Sequence, residues 1–388
     1  MKIVHIADIY VEGWGYQENL LPLYQKLAGH DVVVVSDNDH LGQLRDDNLA
    51  HAILSRGKEY EFDGIRIYKI KEFFTTSSTA LFCAGLYRIL EREKPDMIFQ
   101  HNLNLSTLTV AARYKKRHPT IKLYVDSHSD WVNESKNRLW HLLYCKCAIP
   151  IQVKRLGDRV DYYFGVSPLR CDYLEKVFCV PQNKIKFLPI GCDTRQAEQV
   201  SNSGEELREK YGIPADSFVV TSGGKLDRSK GTIELIDACE SLRSQGISIT
   251  LVLFGRMDDE VSAAIQGKAW IKSWGWCDRL TTVTLLKMAD VACWPCFHTT
   301  LIEDAIAAGT PIIVKDSDNV SHFMKEKTGV FLKKSGRDEL TSALLHVKNN
   351  LPAYRDNVAT AKKKYSYAML IKQLDEESFY DWQSGINH

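Results

Sequence analysis

Short runs of β-branched and aliphatic residues alternate with segments of helical periodicity along this chain of 388 residues, and the alternation occurs twice. A strand of a parallel sheet is buried on both faces and is joined to the next strand by a helix, so this order predicts parallel sheets covered by helices. In the first half we expect strands at 2–7, 32–35, 65–70, 96–100, 122–125, 162–166 and 186–188, and helices at about 16–27, 80–93, 104–117 and 168–177.

A polar stretch containing glycine and proline, residues 194–216, interrupts this pattern and is interpreted as a linker. The alternation resumes after it, which predicts a second α/β domain. The strands expected there are 218–222, 248–254, 290–294 and 311–314, and the helices are 232–244, one ending near 288, one from about 301 and a final helical pattern over 368–382.

Composition narrows the class of protein. The chain has 44% hydrophobic and 26% charged residues, which is typical of a globular rather than a disordered protein. Its net charge of +1 gives no general affinity for nucleic acid. The N-terminal apolar run is too short for a secretory signal, and no stretch reaches the ~18 apolar residues of a membrane span. We therefore expect a cytoplasmic protein whose ten cysteines are reduced and buried.

Each half opens with a strand that runs into a glycine-containing turn, at the sheet edge where ligands and phosphates bind. The first turn, residues 13–18, lacks the third glycine of the dinucleotide fingerprint. The second turn carries Lys225 and Lys230 on a loop short enough for both ammonium groups to meet one anion, and a diphosphate is the natural ligand. A solvated turn that merely contains lysines is the alternative.

A third segment, residues 294–311, is expected to begin a helix near Thr300. Thr300 followed three residues later by Glu303 is typical of a capping box, which would explain both residues structurally. The same geometry would present free backbone N–H groups to a phosphate and let Glu303 accept hydrogen bonds from a ribose. The residues alone leave both interpretations open.

Asp126, His128 and Asp130 follow the strand expected at 122–125, again at the carboxyl edge of a sheet. A single histidine is usually structural. A histidine between two acids at the end of a strand is as compatible with a binding or catalytic site as with a structural role.

Three other motifs have spacings typical of redox or metal sites, but their positions in the sequence do not favour those functions. Cys293 and Cys296 have the spacing of a redox C-x-x-C, yet they fall within the segment that leads to Thr300. Residues 37–39 have the D-x-D pattern of a manganese site but occupy an ordinary loop after a strand. Residues 145–147 lack the second cysteine pair that a zinc site needs. Redox and metal chemistry are therefore not expected.

The segment 136–159 mixes basic side chains with aliphatic and aromatic residues and has one acid. Such a surface can lie on an anionic bilayer, although a core helix with a solvated basic face has the same composition. The basic residues are Lys136, Arg138, Lys146, Lys154, Arg155 and Arg159, and the apolar residues between them include Leu139, Leu142, Leu143 and Ile151.

Together these motifs resemble the retaining nucleotide-sugar glycosyltransferases of family 4, which have the two-domain GT-B fold, over nearly the whole chain. One difference is Lys225, which stands where the family usually has arginine. The segments that carry the resemblance are 13–18, 26–34, 94–98, 188–193, 224–231 and 289–311.

The resemblance implies an α/β fold of two Rossmann-like, doubly wound parallel-sheet domains that face a cleft. It implies an acceptor-binding domain of residues 1–195, rejoined by the returning C-terminal segment 366–388, and a donor-binding domain of residues 196–365. The family's mechanism is front-face attack, in which the leaving diphosphate itself takes the acceptor's proton. A carboxylate base, a metal and any other cofactor are therefore not expected.

Carried over position by position, the resemblance also implies site residues. Lys225 and Lys230 would bind the donor diphosphate and stabilise it as the leaving group, Glu303 would hold the ribose, and His128 would orient donor or acceptor. Further donor contacts are implied for Gly13, Gly15, Gly224, Trp276, His298, Thr299, Thr300 and Leu301, and further acceptor contacts for Tyr16, Gln17 and Asp130.

One departure from the family concerns a second acid. The family usually carries another glutamate eight positions before Glu303, where this chain has Pro295. His298 lies nearest to where that side chain would project, and Asp304 is the other candidate to replace it. The sequence leaves this choice open.

The activity implied is transfer of a hexose or N-acetylhexosamine from a nucleoside-diphosphate sugar to a glycan or lipid-linked acceptor, with retention of anomeric configuration. It would serve bacterial surface polysaccharide or glycoconjugate synthesis, with peripheral docking on an anionic membrane face and no nucleic-acid partner. The alternatives are a nucleotide-sugar epimerase, a phosphorylase or another GT-B enzyme, and an inactive protein that binds sugar nucleotides as the partner of another transferase.

Overall fold

The structure, a computed structural model, describes residues 1–8, 10–37, 57–73, 82–133, 137–296 and 299–381. The chain forms two compact units, of which unit 1 contains Met1–Ile190 and Leu370–His388, and unit 2 contains Gly191–Met369. Each unit has a mainly parallel sheet with helices between most successive strands, so the predicted α/β class is confirmed.

Unit 1 is built on a ten-stranded sheet. Its strands are β1 Lys2–Ala7, β2 Asp31–Asp37, β3 Glu59–Phe62, β4 Ile65–Phe73, β5 Phe82–Ala84, β6 Met97–Gln100, β7 Lys122–Ser127, β8 Tyr162–Gly165, β9 Ile185–Phe187 and, from the end of the chain, β16 Tyr380–Asp381. Its helices are α1 Gln17–Leu27, α2 Leu86–Glu93, α3 Thr107–Arg117, α4 Ile149–Leu156 and α5 Pro168–Lys176, and a helical turn at Arg138–Trp140 leads through a π-helix at His141–Ala148 into α4.

The strand order of unit 1 creates a site where ligands characteristically bind. The order is β16-β9-β8-β7-β6-β1-β2-β4-β3, with β5 beside β4, and the strands from β9 to β4 run parallel. The chain builds outward from β1 to β2 and β4 and then returns to add β6 on the other side of β1. Such a reversal opens a crevice beyond the carboxyl ends of the central strands. The residues directly after β1, β6 and β7 therefore lie at the functional edge of unit 1.

Unit 2 contains the remaining strands and most of the remaining helices. The strands are β10 Phe218–Leu226, β11 Ile249–Met257, β12 Ile271–Trp274, β13 Val291–Trp294, β14 Ile312–Lys315 and β15 Gly329–Leu332. The helices are α6 Thr194–Gln199, α7 Gly204–Lys210, α8 Thr232–Ser244, α9 Asp259–Ile265, α10 Arg279–Lys287, α11 Leu301–Ala308, α12 Ser321–Lys325, α13 Arg337–Asn349 and α14 Leu351–Lys364, and α15 Tyr367–Glu376 then leads back to unit 1.

The sheet of unit 2 is parallel throughout, in the order β12-β11-β10-β13-β14-β15. Here the chain reverses between β10 and β13. The segments that follow these two strands, 227–231 and the described residues 295, 296, 299 and 300, therefore flank the crevice of this sheet. Both belong to segments in which the sequence predicts phosphate contacts.

The interpretation of residues 194–216 as a linker is wrong, because the stretch contains α6 and α7. Ser203 and Glu206 form a reciprocal capping box that starts α7, and Leu207 is only 2% exposed. Very few apolar side chains anchor these short helices, so the stretch is polar in sequence although it is folded.

The returning C-terminal segment completes the sheet of unit 1. The helical pattern expected over 368–382 ends at Glu376, because Glu377 adopts a left-handed backbone with φ of 53°. The chain then forms β16, which pairs antiparallel with β9. Beside it the Phe379 ring lies 4.9 Å from the Phe164 ring and 5.3 Å from the Tyr162 ring, centroid to centroid.

Replacing Phe379 with Ala should destabilise unit 1 by about 2 kcal/mol, because the half-buried ring packs against this aromatic cluster. We expect a lower melting temperature by calorimetry or circular dichroism. The control is Lys372→Ala, since Lys372 is a 61% exposed side chain that forms a long surface ion pair. Equal melting temperatures for the two variants would show that the segment does not anchor through Phe379.

Candidate functional site

The glycines at the edge of unit 2 allow the backbone to pack unusually closely. The turn expected directly after Ser222 is wrong, because β10 continues to Leu226. A Cβ on Gly223 would lie 2.1 Å from the Phe254 ring, and a Cβ on Gly255 would lie 2.1 Å from the carbonyl oxygen of Gly224. Side chains at these positions would clash, so the close packing of this part of the sheet edge requires glycine.

Asp227 organises the loop that follows β10. Its carboxylate accepts hydrogen bonds from the Ser229 hydroxyl at 2.6 Å and from the Lys230 backbone N–H at 3.0 Å. It also pairs with the Lys225 ammonium at 2.7 Å, and the hydrogen bond from Lys225, followed by that from Ser229, lowers the pKa of Asp227. The other cation of the loop, Arg228, pairs with Glu260 at the surface.

Lys230 differs from its neighbours on this loop. Its side chain is half-buried, and within the part of the chain that the structure describes its ammonium has neither a hydrogen bond nor an ion pair. The next residue, Gly231, has φ of 73° and packs so closely on Pro295 that a Cβ there would lie 2.9 Å from the proline Cγ. Pro295, which stands where the resembling family has its second glutamate, therefore joins the two loops of the crevice.

Helix α11 begins beside this loop. A Cβ on Gly224 would lie 3.3 Å from Leu301 Cδ1, so the end of β10 and the start of α11 are close neighbours. The side chain of Thr300 makes no capping hydrogen bond, so the capping-box interpretation of Thr300 and Glu303 is wrong. Thr299 and Thr300 are half-buried, and His298 lies outside the described residues.

The two acids in the first turn of α11 are buried next to an arginine. Glu303 is 3% exposed and Asp304 is 9% exposed. An Arg279 Nη atom lies 3.2 Å from Asp304 Oδ1 and 3.0 Å from Asp193 Oδ2. Burial raises the pKa of Asp304 to about 6; Arg279 opposes this shift, whereas Glu303 and Asp193 add to it. Asp304 is thus held in an ion-pair cluster.

This raised pKa predicts how stability depends on pH. Because the pKa of Asp304 is about 6 in the folded protein and about 3.9 in an unfolded chain, its stabilising contribution is full below pH 4 and is lost as the pH rises through 6. We therefore expect Asp304→Asn to raise the free energy of unfolding at pH 8 by up to about 3 kcal/mol, and by less toward pH 4.

Melting temperatures measured across this pH range test the prediction. The control is Asp338→Asn, since Asp338 is a 93% exposed acid of the same unit. If Asp304→Asn gained no more stability at pH 8 than at pH 4, the buried acid would not titrate as described.

The two tryptophans beyond β12 differ in environment. Trp274 is half-buried and its ring packs edge-on against Tyr211, with centroids 5.5 Å apart. Trp276 is 87% exposed, at the carboxyl end of β12. An indole so exposed contributes little to packing, which makes Trp276 available for a planar ligand.

Asp126 is the centre of the polar cluster at the edge of unit 1. Its Oδ1 accepts a hydrogen bond from the Asn102 backbone N–H at 2.9 Å. Its Oδ2 lies 2.9 Å from His101 Nδ1 and 3.5 Å from His128 Nε2, and accepts a hydrogen bond from Gln17 Nε2 at 3.3 Å. Burial would raise the pKa of Asp126, but His101 and His128 lower it far below its usual range. Asp126 is therefore a carboxylate.

His128 is half-buried between acids. Burial lowers its pKa, but Asp126, and to a smaller extent Glu18 with its Oε1 at 4.0 Å, outweigh this effect and raise it. The Asp130 carboxylate instead accepts hydrogen bonds from the Val132 and Asn133 backbone N–H groups and from Arg170 Nε. The acid that governs His128 is thus Asp126.

The remaining residues predicted for unit 1 lie in the turn after β1 and at the start of α1. Gly13 has φ of 78° in the turn after β1, followed by Gly15, and Tyr16 is 48% exposed where α1 begins. Gln17 is buried with its amide on Asp126. His101 and its neighbour His5 were not identified from the sequence, because a single histidine within or just after a strand carries no motif.

One cluster has the spacing of a metal site. The donor atoms of His101, Asp126 and His128 lie within 4.8 Å of one another. However, His101 and the Asp126 carboxylate already hydrogen-bond to each other, and the Asn102 N–H and Gln17 amide also donate to Asp126. The arrangement is therefore that of a hydrogen-bonded network. Residues 38 and 39 of the D-x-D pattern lie outside the described residues.

All ten cysteines are free thiols, as expected. Burial raises the pKa of both Cys293 and Cys296, which keeps them protonated and unreactive, whereas Cys147 and Cys179 are exposed. The prediction that the thiols are buried is thus correct for only part of the set.

The comparisons with known proteins agree with this geometry. Residues 203–364 match the family model described as Glycosyl transferases group 1. A relative from Acholeplasma laidlawii named alpha-monoglucosyldiacylglycerol synthase is 21% identical over 318 residues, covering 76% of this chain and 78% of its own. A protein of Bacillus subtilis strain 168 that is named as the glycosyltransferase EpsD is 24% identical, over 65% of this chain and 66% of its own.

Solved structures share the whole fold. The Anabaena protein Alr3699/HepE in complex with UDP matches 97% of this chain and 99% of its own with a TM-score of 0.68, at 16% identity. The same protein with UDP and glucose gives a TM-score of 0.64. The matched family domain and the glycosyltransferase relatives, together with two Rossmann-like units, identify this chain as a glycosyltransferase of the GT-B fold.

Proposed function

We propose that unit 2 binds a nucleoside-diphosphate sugar and that the enzyme transfers its hexose or N-acetylhexosamine to a glycan or lipid-linked acceptor, with retention of anomeric configuration. The observation that carries the proposal is Lys230, a half-buried residue beside the crevice of unit 2 whose ammonium has no counter-ion among the described residues. Removing a charged group from water without a counter-ion costs free energy, so the Lys230 ammonium favours the binding of an anionic ligand.

The proposed ligand is a uridine diphosphate sugar. Lys230 would neutralise the diphosphate together with Lys225, which would exchange its contact with Asp227 for a phosphate oxygen. The backbone from Thr299 to Leu301 would approach the phosphates, Glu303 would accept the ribose hydroxyls, and the exposed Trp276 would stack on the base. Uridine is favoured because Alr3699/HepE binds UDP.

The proposed chemistry needs no carboxylate base and no metal. The bond between the sugar C1 and the diphosphate breaks while the acceptor hydroxyl attacks the same face of the sugar. The departing diphosphate oxygen takes the hydroxyl proton. Lys225 and Lys230 stabilise the negative charge that develops on that leaving group, which is the main electrostatic contribution in this scheme.

Unit 1 would hold the acceptor and the sugar. His128, whose pKa is raised by Asp126 and Glu18, would donate hydrogen bonds to hydroxyl or phosphate oxygens. Gly13 and Gly15 allow close approach of a ligand to the backbone, and Tyr16 and Gln17 lie beside them. Asp130 is assigned a structural role, because its hydrogen bonds hold the loop at 130–133.

A surface of unit 1, named here the basic-apolar surface, would dock the enzyme on an anionic bilayer. Ile149, Val153 and Leu156 face the core, whereas apolar and basic side chains of the same segment are exposed. No helix among the described residues has the length and apolarity to cross a membrane. Lys136 lies outside the described residues; the exposed members are Arg138, Leu139, Leu142, Leu143, Lys146, Ile151, Lys154 and Arg155.

A glycolipid acceptor is consistent with this surface, since the Acholeplasma relative is named for the synthesis of a glucosyl lipid. Co-sedimentation with vesicles that contain anionic lipid tests the docking. We expect binding at low salt that falls as salt rises, and weaker binding after Leu142→Ser with Leu143→Ser. Failure to bind anionic vesicles at low salt would rule the docking out while leaving donor binding intact.

Thermal-shift assays with UDP, GDP and ADP test donor binding, since a ligand that binds the folded state raises the melting temperature. We expect UDP to give the largest increase. Incubation with UDP-glucose and no acceptor separates the alternatives, because a transferase slowly releases UDP and free glucose, whereas an epimerase changes a stereocentre of its sugar. The absence of turnover with any donor would favour a protein that only binds sugar nucleotides.

A further inference from the structure

A chain of buried side chains extends from the interior of unit 1 to Asp126. Gln25 Oε1 lies 2.5 Å from His5 Nε2, His5 Nδ1 lies 3.1 Å from His101 Nε2, and His101 Nδ1 lies 2.9 Å from Asp126 Oδ2. All four side chains belong to residues that are at most 1% exposed. They come from α1, β1, the loop after β6 and β7, so the chain connects four separate elements to one carboxylate.

The protons in this series of hydrogen-bonded side chains have few possible positions. Because Asp126 is a carboxylate and can only accept, His101 must donate its Nδ1–H to it. Burial, reinforced by His101, lowers the pKa of His5 to about 3, so His5 is neutral and has one N–H. With Gln25 Oε1 facing the ring, Gln25 accepts the Nε2–H of His5, and His5 Nδ1 accepts from His101 Nε2. With the amide rotated by 180°, its nitrogen would donate to His5 and both bonds would run in the opposite direction. In both cases the Nδ1–H of His101 points at Asp126.

These hydrogen bonds fix the position of the Asp126 carboxylate, which contacts the His128 ring. Its Oδ1 is held by the Asn102 backbone N–H, and the Asn102 side-chain oxygen in turn accepts the backbone N–H of His128 at 3.0 Å. Among the described residues, the charged groups that act on the His128 ring include Asp126 from β7 and Glu18 from α1, which raise its pKa, and Arg170 from α5, which lowers it.

We propose that His101, supported by His5 and Gln25, is a positioning residue that fixes the Asp126 carboxylate and, through it, the imidazole of His128. This inference rests on the proposed function for the part of the site that includes His128. His101 itself is 1% exposed and does not need to touch either substrate. Its effect would be to keep the His128 ring oriented when donor and acceptor bind.

A double-mutant cycle tests whether His101 acts through His128. His101→Phe fills a similar volume but removes both ring nitrogens, and His101→Asn restores one N–H close to the position of Nδ1. We expect His101→Phe to lower kcat by about 10- to 100-fold without changing the KM for the donor, and His101→Asn to recover most of the loss. In a His128→Asn background, His101→Phe should lower kcat no further.

The control variant is His118→Asn, which removes an exposed histidine of unit 1 that pairs with Glu91 and should keep full activity. Should His101→Phe fail to fold, Asp126→Asn, which is nearly isosteric, replaces it in the cycle with the same expectation. Independent, additive losses of kcat, or a lower melting temperature with unchanged kcat, would show that these hydrogen-bonded side chains have only a structural role. Either result would overturn the inference.

The outcome for His128 alone separates this inference from the proposed function. If His128→Asn keeps full transfer activity, both the role proposed for His128 and the inference about His101 are wrong, while UDP binding by unit 2 is judged by its own thermal shift. If His128→Asn is inactive but the losses add, only the inference about His101 fails.

Discussion

Lys230→Ala is expected to abolish sugar transfer while leaving the melting temperature nearly unchanged. An ammonium about 4 Å from a phosphate oxygen contributes at most about 4 kcal/mol at an effective dielectric constant near 20. The loss in kcat/KM could therefore reach about a thousandfold. Stability should not change, because within the described residues the Lys230 side chain forms no hydrogen bond or ion pair that the substitution would break.

The matched control for Lys230→Ala lies two residues away. Arg228 is also a cation of the loop, but its guanidinium pairs with Glu260 at the surface. We expect Arg228→Gln to keep nearly full activity and to change stability by less than about 1 kcal/mol. Transfer and melting temperature should be measured for both variants. Equal activities would show that general positive charge on the loop, and not Lys230 itself, supports donor binding.

Glu303→Gln should lower kcat/KM for the donor about 10- to 100-fold, through weaker binding of the nucleotide. A carboxylate accepts two hydrogen bonds from a ribose diol, whereas an amide presents a donor to one of the hydroxyls, and hydrogen bonds to charged groups contribute about 1.5–3 kcal/mol. The adjacent Asp304 provides the control. Because its carboxylate pairs with Arg279, we expect Asp304→Asn to keep most activity.

Titration calorimetry with UDP measures this difference directly. Loss of affinity in Glu303→Gln, with nearly normal affinity in Asp304→Asn, would assign the ribose contact to Glu303. The opposite pattern would transfer that role to Asp304.

The central strands were the most predictable part of this fold. β1 has the bounds 2–7 that its apolar run predicts, and the four valines of β2 are each at most 1% exposed. Strands at the sheet edges, such as β3 and β15, are only partly buried, so their sequences carry no continuous apolar run. Helix ends set by a single backbone angle, such as that of Glu377, also leave no sequence pattern.

The candidate site was predictable where a motif spans consecutive residues and unpredictable where it depends on tertiary contacts. Lys230 and Glu303 were identified from local segments. Thr300 has the spacing of a capping box without forming one, whereas Ser203 forms one. Of the two acids that flank His128 in the sequence, Asp126 contacts its ring, whereas Asp130 accepts hydrogen bonds from its own loop and from Arg170. Such choices depend on rotamers and on distant residues, which spacing does not encode.

The most direct test of the account is hydrogen exchange of the intact protein with and without UDP. If the crevice of unit 2 binds the diphosphate, amide exchange should slow at 223–231 and 299–304, UMP should protect these segments less, and Lys230→Ala should abolish the effect. UDP-dependent protection confined to other segments, or protection that persists in Lys230→Ala, would contradict the account.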